Sequence, residues 1–79
     1  MTINTDQLIN LRLRLAIRKA MLTFAERRIY KNMLLTRFAW ATKEQCAQVI
    51  DEYVREGLFT EENGKQGSVI LIWNEGALR

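Results

Sequence analysis

Thr42-Lys43-Glu44-Gln45-Cys46-Ala47-Gln48-Val49-Ile50-Asp51-Glu52-Tyr53-Val54-Arg55-Glu56-Gly57-Leu58-Phe59, followed by Asn63-Gly64 and then Val69-Ile70-Leu71-Ile72-Trp73, is the stretch that decides the fold. Cys46, Val49, Ile50, Tyr53 and Val54 recur at helical spacing on one face, while Glu44, Gln45, Gln48, Asp51, Glu52 and Arg55 fall on the other. Thr42 and Gln45 have the spacing of a capping box, which starts this helix at about 43. Gly57 supplies a left-handed C-cap, with Leu58 packing back against the helix. The chain then leaves as a short strand through Phe59, Thr60 and Glu61. Asn63-Gly64 suits a tight turn that needs positive φ, Lys65-Gln66-Gly67 lengthens the tip, and 69–73 pairs back as the second strand. The spacing therefore predicts a helix over about 43–56 and a hairpin over about 58–73.

Working back from Thr42, Ala39-Trp40-Ala41 is a turn, and a helix over about 24–38 precedes it. Its start is set by a second box, Thr23 with Glu26; Ile29, Tyr30, Met33, Leu34 and Phe38 are its expected buried positions, with Arg27, Arg28, Lys31 and Asn32 outside. The first helix covers about 5–22. Leu11-Arg12-Leu13-Arg14-Leu15 alternates like a strand, but the apolar pattern continues through Ala16, Ile17, Ala20 and Met21, longer than strands run. On a helical wheel it carries two apolar stripes: Ile9, Leu13, Ala16, Ile17 and Ala20 on one side, Leu8, Leu11, Leu15 and Leu22 on the other. One stripe faces the core. The second is expected to form a homodimer seam or a partner-binding surface, the alternative being a helix sandwiched within the fold.

A chain of 79 residues makes one small domain, 1–79, with a modest core. It has no long uninterrupted apolar run, and its first residues lack the basic start and apolar block of a secretory signal, so no membrane partner is expected and a cytoplasmic location is. The single cysteine, Cys46, excludes an internal disulfide and sits on an apolar helix face, where it reads as a core residue. With no histidine, the commonest metal ligand and general base are both missing; no metal, cofactor or catalytic residue is assigned, and an enzyme is not expected. The net charge of +3 is unevenly spread: residues 1–40 hold eight Lys or Arg against two acids, and residues 41–79 hold four against seven. That basic N-terminal half can attract phosphates, or be no more than solvated helix surface.

Over roughly 29–73 these residues resemble the winged helix-turn-helix family. Val49-Ile50-x-x-Tyr53-Val54-x-x-Gly57-Leu58-Phe59 is similar to the end of that family's recognition helix, where an amphipathic helix runs into a Gly-Leu-aliphatic step and then a wing. The chain departs from the pattern in a turn without glycine and a recognition helix with more acid than base. The resemblance implies an α+β, mostly α fold of three helices followed by a two-stranded β-hairpin wing. It also implies a small regulator that binds double-stranded DNA with its third helix in the major groove. Lys43, Gln45 and Gln48 would then read bases, and Arg27, Arg28, Lys31 and Arg37 on helix two, with Lys65 at the wing tip, would contact the phosphate backbone. Glu61 and Glu62 would reduce the wing's attraction for DNA. The family also includes domains that bind only proteins, so the alternative is an inhibitor or assembly adaptor that docks through the acidic side of helix three or through the leucine stripe.

Overall fold

Val69-Ile70-Leu71-Ile72-Trp73 is apolar at every position, and a strand apolar on both faces belongs in the middle of a sheet. That is where it lies. In the computed structural model, which describes residues 5–24 and 27–74, the chain is α+β, with three helices and a three-stranded antiparallel sheet. The order is α1 (Thr5–Thr23), β1 (Arg28–Tyr30), α2 (Lys31–Leu35), α3 (Lys43–Arg55), β2 (Phe59–Asn63), a 3-10 turn at Lys65–Gly67, and β3 (Val69–Trp73). The sheet order is β1-β3-β2. β2 pairs with β3 from Phe59↔Trp73 to Asn63↔Val69, and β1 pairs through Arg28↔Ile72, Ile29↔Leu71 and Tyr30↔Ile70.

The third strand corrects the expectation of a two-stranded wing, and it replaces the first half of the expected helix over 24–38. The free edge of β3 captures Arg28-Ile29-Tyr30, and the Trp73 N–H donates to the Arg27 carbonyl at 2.9 Å. Ladder hydrogen bonds and the packing of Ile29 beside Leu71 outweigh a weak local helix preference. Only Lys31–Leu35 remains helical. Thr23 does not cap a following helix either: it is the last residue of α1, and its hydroxyl donates back to the Ala20 carbonyl at 2.6 Å. Its expected box partner, Glu26, lies outside the described residues. Of the positions expected to be buried on helix two, Leu34 is, Ile29 and Phe38 are half-buried, and Tyr30 and Met33 are exposed because the strand and the shortened helix turn them outward.

The core forms where one stripe of α1 (Leu13, Ile17, Met21), Leu34 of α2 and the apolar face of α3 (Cys46, Val49, Ile50, Tyr53) meet Leu58, Phe59, Leu71 and Trp73. Burying each large side chain contributes about 1.5–3 kcal/mol. Tyr53, Phe59 and Trp73 pack edge to face in a mutual trio, with ring centroids 5.2–5.8 Å apart, which fixes α3 to the sheet. α3 ends as its sequence predicts: Gly57 has φ 82, its N–H donates to the Val54 carbonyl, and the Leu58 N–H donates to the Tyr53 carbonyl, a Schellman motif. At the hairpin tip the positive φ falls on Gln66 and Gly67, whereas Gly64, expected to need it, has φ −95. A Cβ on Gly64 would meet the Ser68 hydroxyl, which would have to turn away from its bond to the Lys65 carbonyl.

Candidate nucleic-acid interface

α3 presents three sides, and its sequence places each. The apolar side is buried. The start is fixed by the Thr42 box, in which the Gln45 N–H donates to Thr42 Oγ1 at 3.1 Å and the Thr42 N–H donates to Gln45 Oε1 at 2.9 Å. Gln45 is thus half-buried with its carbonyl oxygen committed to the cap, leaving only its amide NH2 for an outside acceptor. Lys43 and Gln48 are exposed. With Glu44, Ala47, Asp51, Val54 and Arg55, Gln48 lines an open cleft of about 610 Å³ along the outer side of the helix.

The remaining side of α3 turns toward α1 and is held there by charge. Arg14 donates to Glu52 at 2.9 Å and to Glu56 at 2.8 Å, and Asn10 donates to Glu52 at 3.3 Å. The Tyr53 hydroxyl donates to the Arg14 carbonyl at 2.7 Å, with the Arg14 guanidinium 4.5 Å from the Tyr53 ring centroid. The hydrogen bond from Arg14 holds the Glu56 carboxyl below its ordinary value, and the same bond raises Arg14. Burial pushes the Tyr53 phenol up, and likewise the Cys46 thiol, which keeps that cysteine in its unreactive form. Between the two helices lies a cleft of about 640 Å³, bordered by Asp6, Asn10 and Leu11 on α1 and by Glu44, Gln48 and Glu52 on α3.

The expected backbone-contacting residues do not share one helix. Arg27 precedes β1 in a left-handed conformation, φ 53, and Arg28 lies within β1. Leu71, Trp73 and Phe59 point to the α3 side of the sheet, so Arg28, in register with Ile72, points to the opposite side, where it pairs with Glu62 at 3.5 Å. Lys31 opens α2 and pairs with Glu61 at 3.8 Å. Arg37 sits in the turn before α3, its guanidinium 5.2 Å from the Phe24 ring, and Lys65 is exposed at the hairpin tip. Two further cations were not singled out from sequence: Arg55, on the outer side of α3, and Arg12 of α1, stacked 4.2 Å from the ring of Trp40. Arg55 was legible from helical spacing. The Arg12–Trp40 stack has no local signal, since it joins α1 to the turn before α3.

The leucines of the second stripe on α1 are all exposed, from 39% for Leu22 to 70% for Leu15. No helix of the described residues is long and apolar enough to cross a membrane. Comparison with family models, with curated proteins and with solved structures finds no match for this chain.

Proposed function

We propose that the chain is a winged helix-turn-helix domain that binds double-stranded DNA as a small regulator, with α3 in the major groove and the β2–β3 hairpin as its wing. The helix leading through a Gly57 stop into a strand, tip and return strand supports the fold reading, and β1 widens the sheet without disturbing that order. The observation that carries the function is how the carboxylates are used. Glu52 and Glu56 are taken up by Arg14, Glu61 by Lys31 and Glu62 by Arg28. The acidic excess of the C-terminal half is therefore neutralised largely within the fold. Among the described residues, Lys43, Arg55, Arg37 and Lys65 form no ion pair and remain to meet phosphates, against Glu44 and Asp51 on the same helix.

In this reading Lys43 and Gln48 reach base edges from the first turns of α3. Gln can bond adenine at two points, and Lys donates to the acceptors of guanine. Arg37, Arg55 and Lys65 hold the phosphates on either side. Arg28 and Lys31 act within the fold, joining the sheet strands and α2 through Glu62 and Glu61.

The test is fluorescence anisotropy of a labelled duplex across a salt series. Binding should weaken steeply as salt rises, Lys65→Ala should lower the salt slope by about one, and Gln48→Ala should blunt discrimination between duplex sequences. Failure to bind any duplex at low salt overturns the proposal. The uncovered leucine stripe favours, in addition, a protein contact at a separate surface.

A further inference from the structure

Of the chain's asparagines, Asn63 alone is followed by glycine; the others precede Thr5, Leu11, Met33 and Glu75, whose side chains hinder approach to the neighbouring amide. That matters because an asparagine side chain is an electrophile within reach of the next backbone nitrogen. The Gly64 nitrogen can attack Asn63 Cγ: an N–Cγ bond forms, the Cγ–Nδ2 bond breaks, and ammonia leaves with the proton of the Gly64 N–H. A solvent water then opens the five-membered imide. Cleavage of the new N–Cγ bond leaves aspartate at 63, and cleavage of the original peptide C–N bond leaves isoaspartate, whose backbone is longer by a methylene.

The hairpin exposes the electrophile and withholds the nucleophile. Asn63 is exposed at the end of β2, an edge strand, and its side-chain amide has no partner among the described residues. The Gly64 N–H, by contrast, donates to the Ser68 carbonyl at 2.8 Å, just beyond the Asn63↔Val69 pair. In the extended backbone of a strand ψ is near +135°, so bringing the Gly64 nitrogen into line with Asn63 Cβ, as the ring requires, means a rotation of roughly 100°. Such a rotation pulls the Gly64 N–H off Ser68. Two features of the tip resist it. Gly67 takes the left-handed φ of 78 that closes the turn, and the Ser68 N–H and hydroxyl both donate to the Lys65 carbonyl, at 3.2 and 2.7 Å.

We infer that Asn63 is a site of spontaneous deamidation gated by the hairpin tip, slow while Gly64 is bonded to Ser68 and fast once the tip opens. The product places a third carboxylate beside Glu61 and Glu62, and its isoaspartyl form lengthens β2 at the position paired with Val69. An opening of the tip is thereby recorded as a covalent change. The inference rests on the hairpin alone and holds whether or not the chain binds DNA.

The test incubates the full chain in mildly alkaline buffer, with and without unfolding guanidinium chloride, and follows by mass spectrometry the peptide 56–65 that trypsin releases at Arg55 and Lys65. A gain of one mass unit at Asn63 should accumulate about tenfold or more faster in the denaturant, since the folded rate follows the population of the open tip. Gly67→Ala, which forces a side chain into the left-handed region, should raise the folded rate about fivefold and leave the unfolded rate unchanged. If that variant does not fold, Ser68→Ala, which removes one of the two bonds to the Lys65 carbonyl, should raise the folded rate in the same direction. Asn63→Gln should abolish the gain. No gain in the denaturant overturns the site, and equal rates with and without it overturn the gate. A folded rate that neither tip variant raises overturns the tip as the element that controls it.

Discussion

The two long helices solve the same packing problem differently. α3 separates its residues cleanly, with one apolar side against the sheet and polar residues elsewhere, so a single layer of partners satisfies it. α1 is apolar on two sides, and the fold covers one of them. The difference teaches where a small domain keeps surface for other molecules. α3 offers outward charge and hydrogen-bonding groups on a helix whose start and end are both tied down, which suits a polar ligand. α1 offers leucine side chains flanked by cations, which suits another apolar surface.

The sharpest way to break this comparison is to cut the same side chain on the two sides of α1. Leu13 is fully buried and Leu15 is 70% exposed, two residues apart on one helix. Leu13→Ala should cost about 2–5 kcal/mol, the sum of lost transfer energy and a residual cavity. Leu15→Ala should stay within about 0.5 kcal/mol of the parent when urea unfolding is followed on protein dilute enough to be monomeric. Equal costs would mean that the leucine stripe is covered within the monomer, and the contrast between the helices would be lost.

A finer comparison concerns how each helix is bounded. Thr42 and Thr23 both open a Thr-x-x-Glu/Gln pattern, yet Thr42 heads a helix through its box, whereas Thr23 is the last residue of α1 and bonds Ala20. Thr42→Ala should therefore cost about 1 kcal/mol in urea unfolding, within the 0.5–2 range for a lost cap. Thr23→Ala removes a single hydroxyl bond to a carbonyl at an exposed helix end and should cost less. A larger loss at Thr23 would restore the role that its sequence pattern advertises.

These two threonines also mark where the sequence could be read and where it could not. α3 was legible because three local signals agree: period, box and glycine stop all lie within sixteen residues, 42–57. β1 was not, because Arg28-Ile29-Tyr30 is too short for alternation to register, and what makes it a strand is the free edge of β3, some forty residues on. A signal was present in β3 itself, since five consecutive apolar residues suit a central strand better than the edge of a two-stranded hairpin. The interface divides in the same way. The exposed residues of α3 and the leucine stripe follow from helical period alone. The Arg14 clamp does not, because Asn10 and Arg14 lie 38–42 residues from Glu52 and Glu56 and only the packing of α1 on α3 brings them together.

That clamp supplies the smallest and most specific prediction. It binds the side of α3 facing α1 with charge, where the opposite side of α1 is left with leucines. Arg14 holds Glu56 below its ordinary value chiefly through their hydrogen bond. A carboxyl whose value is lower in the folded chain stabilises the fold above its unfolded value, about 4.5, and that contribution disappears as pH falls through the lower folded value. Glu56 is partly exposed, so solvent screening limits the pair to a few tenths of a kcal/mol near neutral pH. Glu56→Gln should accordingly change stability little at pH 7, but flatten its decline between about pH 5 and pH 3 when urea midpoints are compared across that window. Arg14→Gln should flatten the same window, because it removes the donor that lowers Glu56. If both variants keep the parent's acid slope, the two helices are joined by apolar packing alone, and the polar side of α3 is as free toward α1 as it is toward solvent.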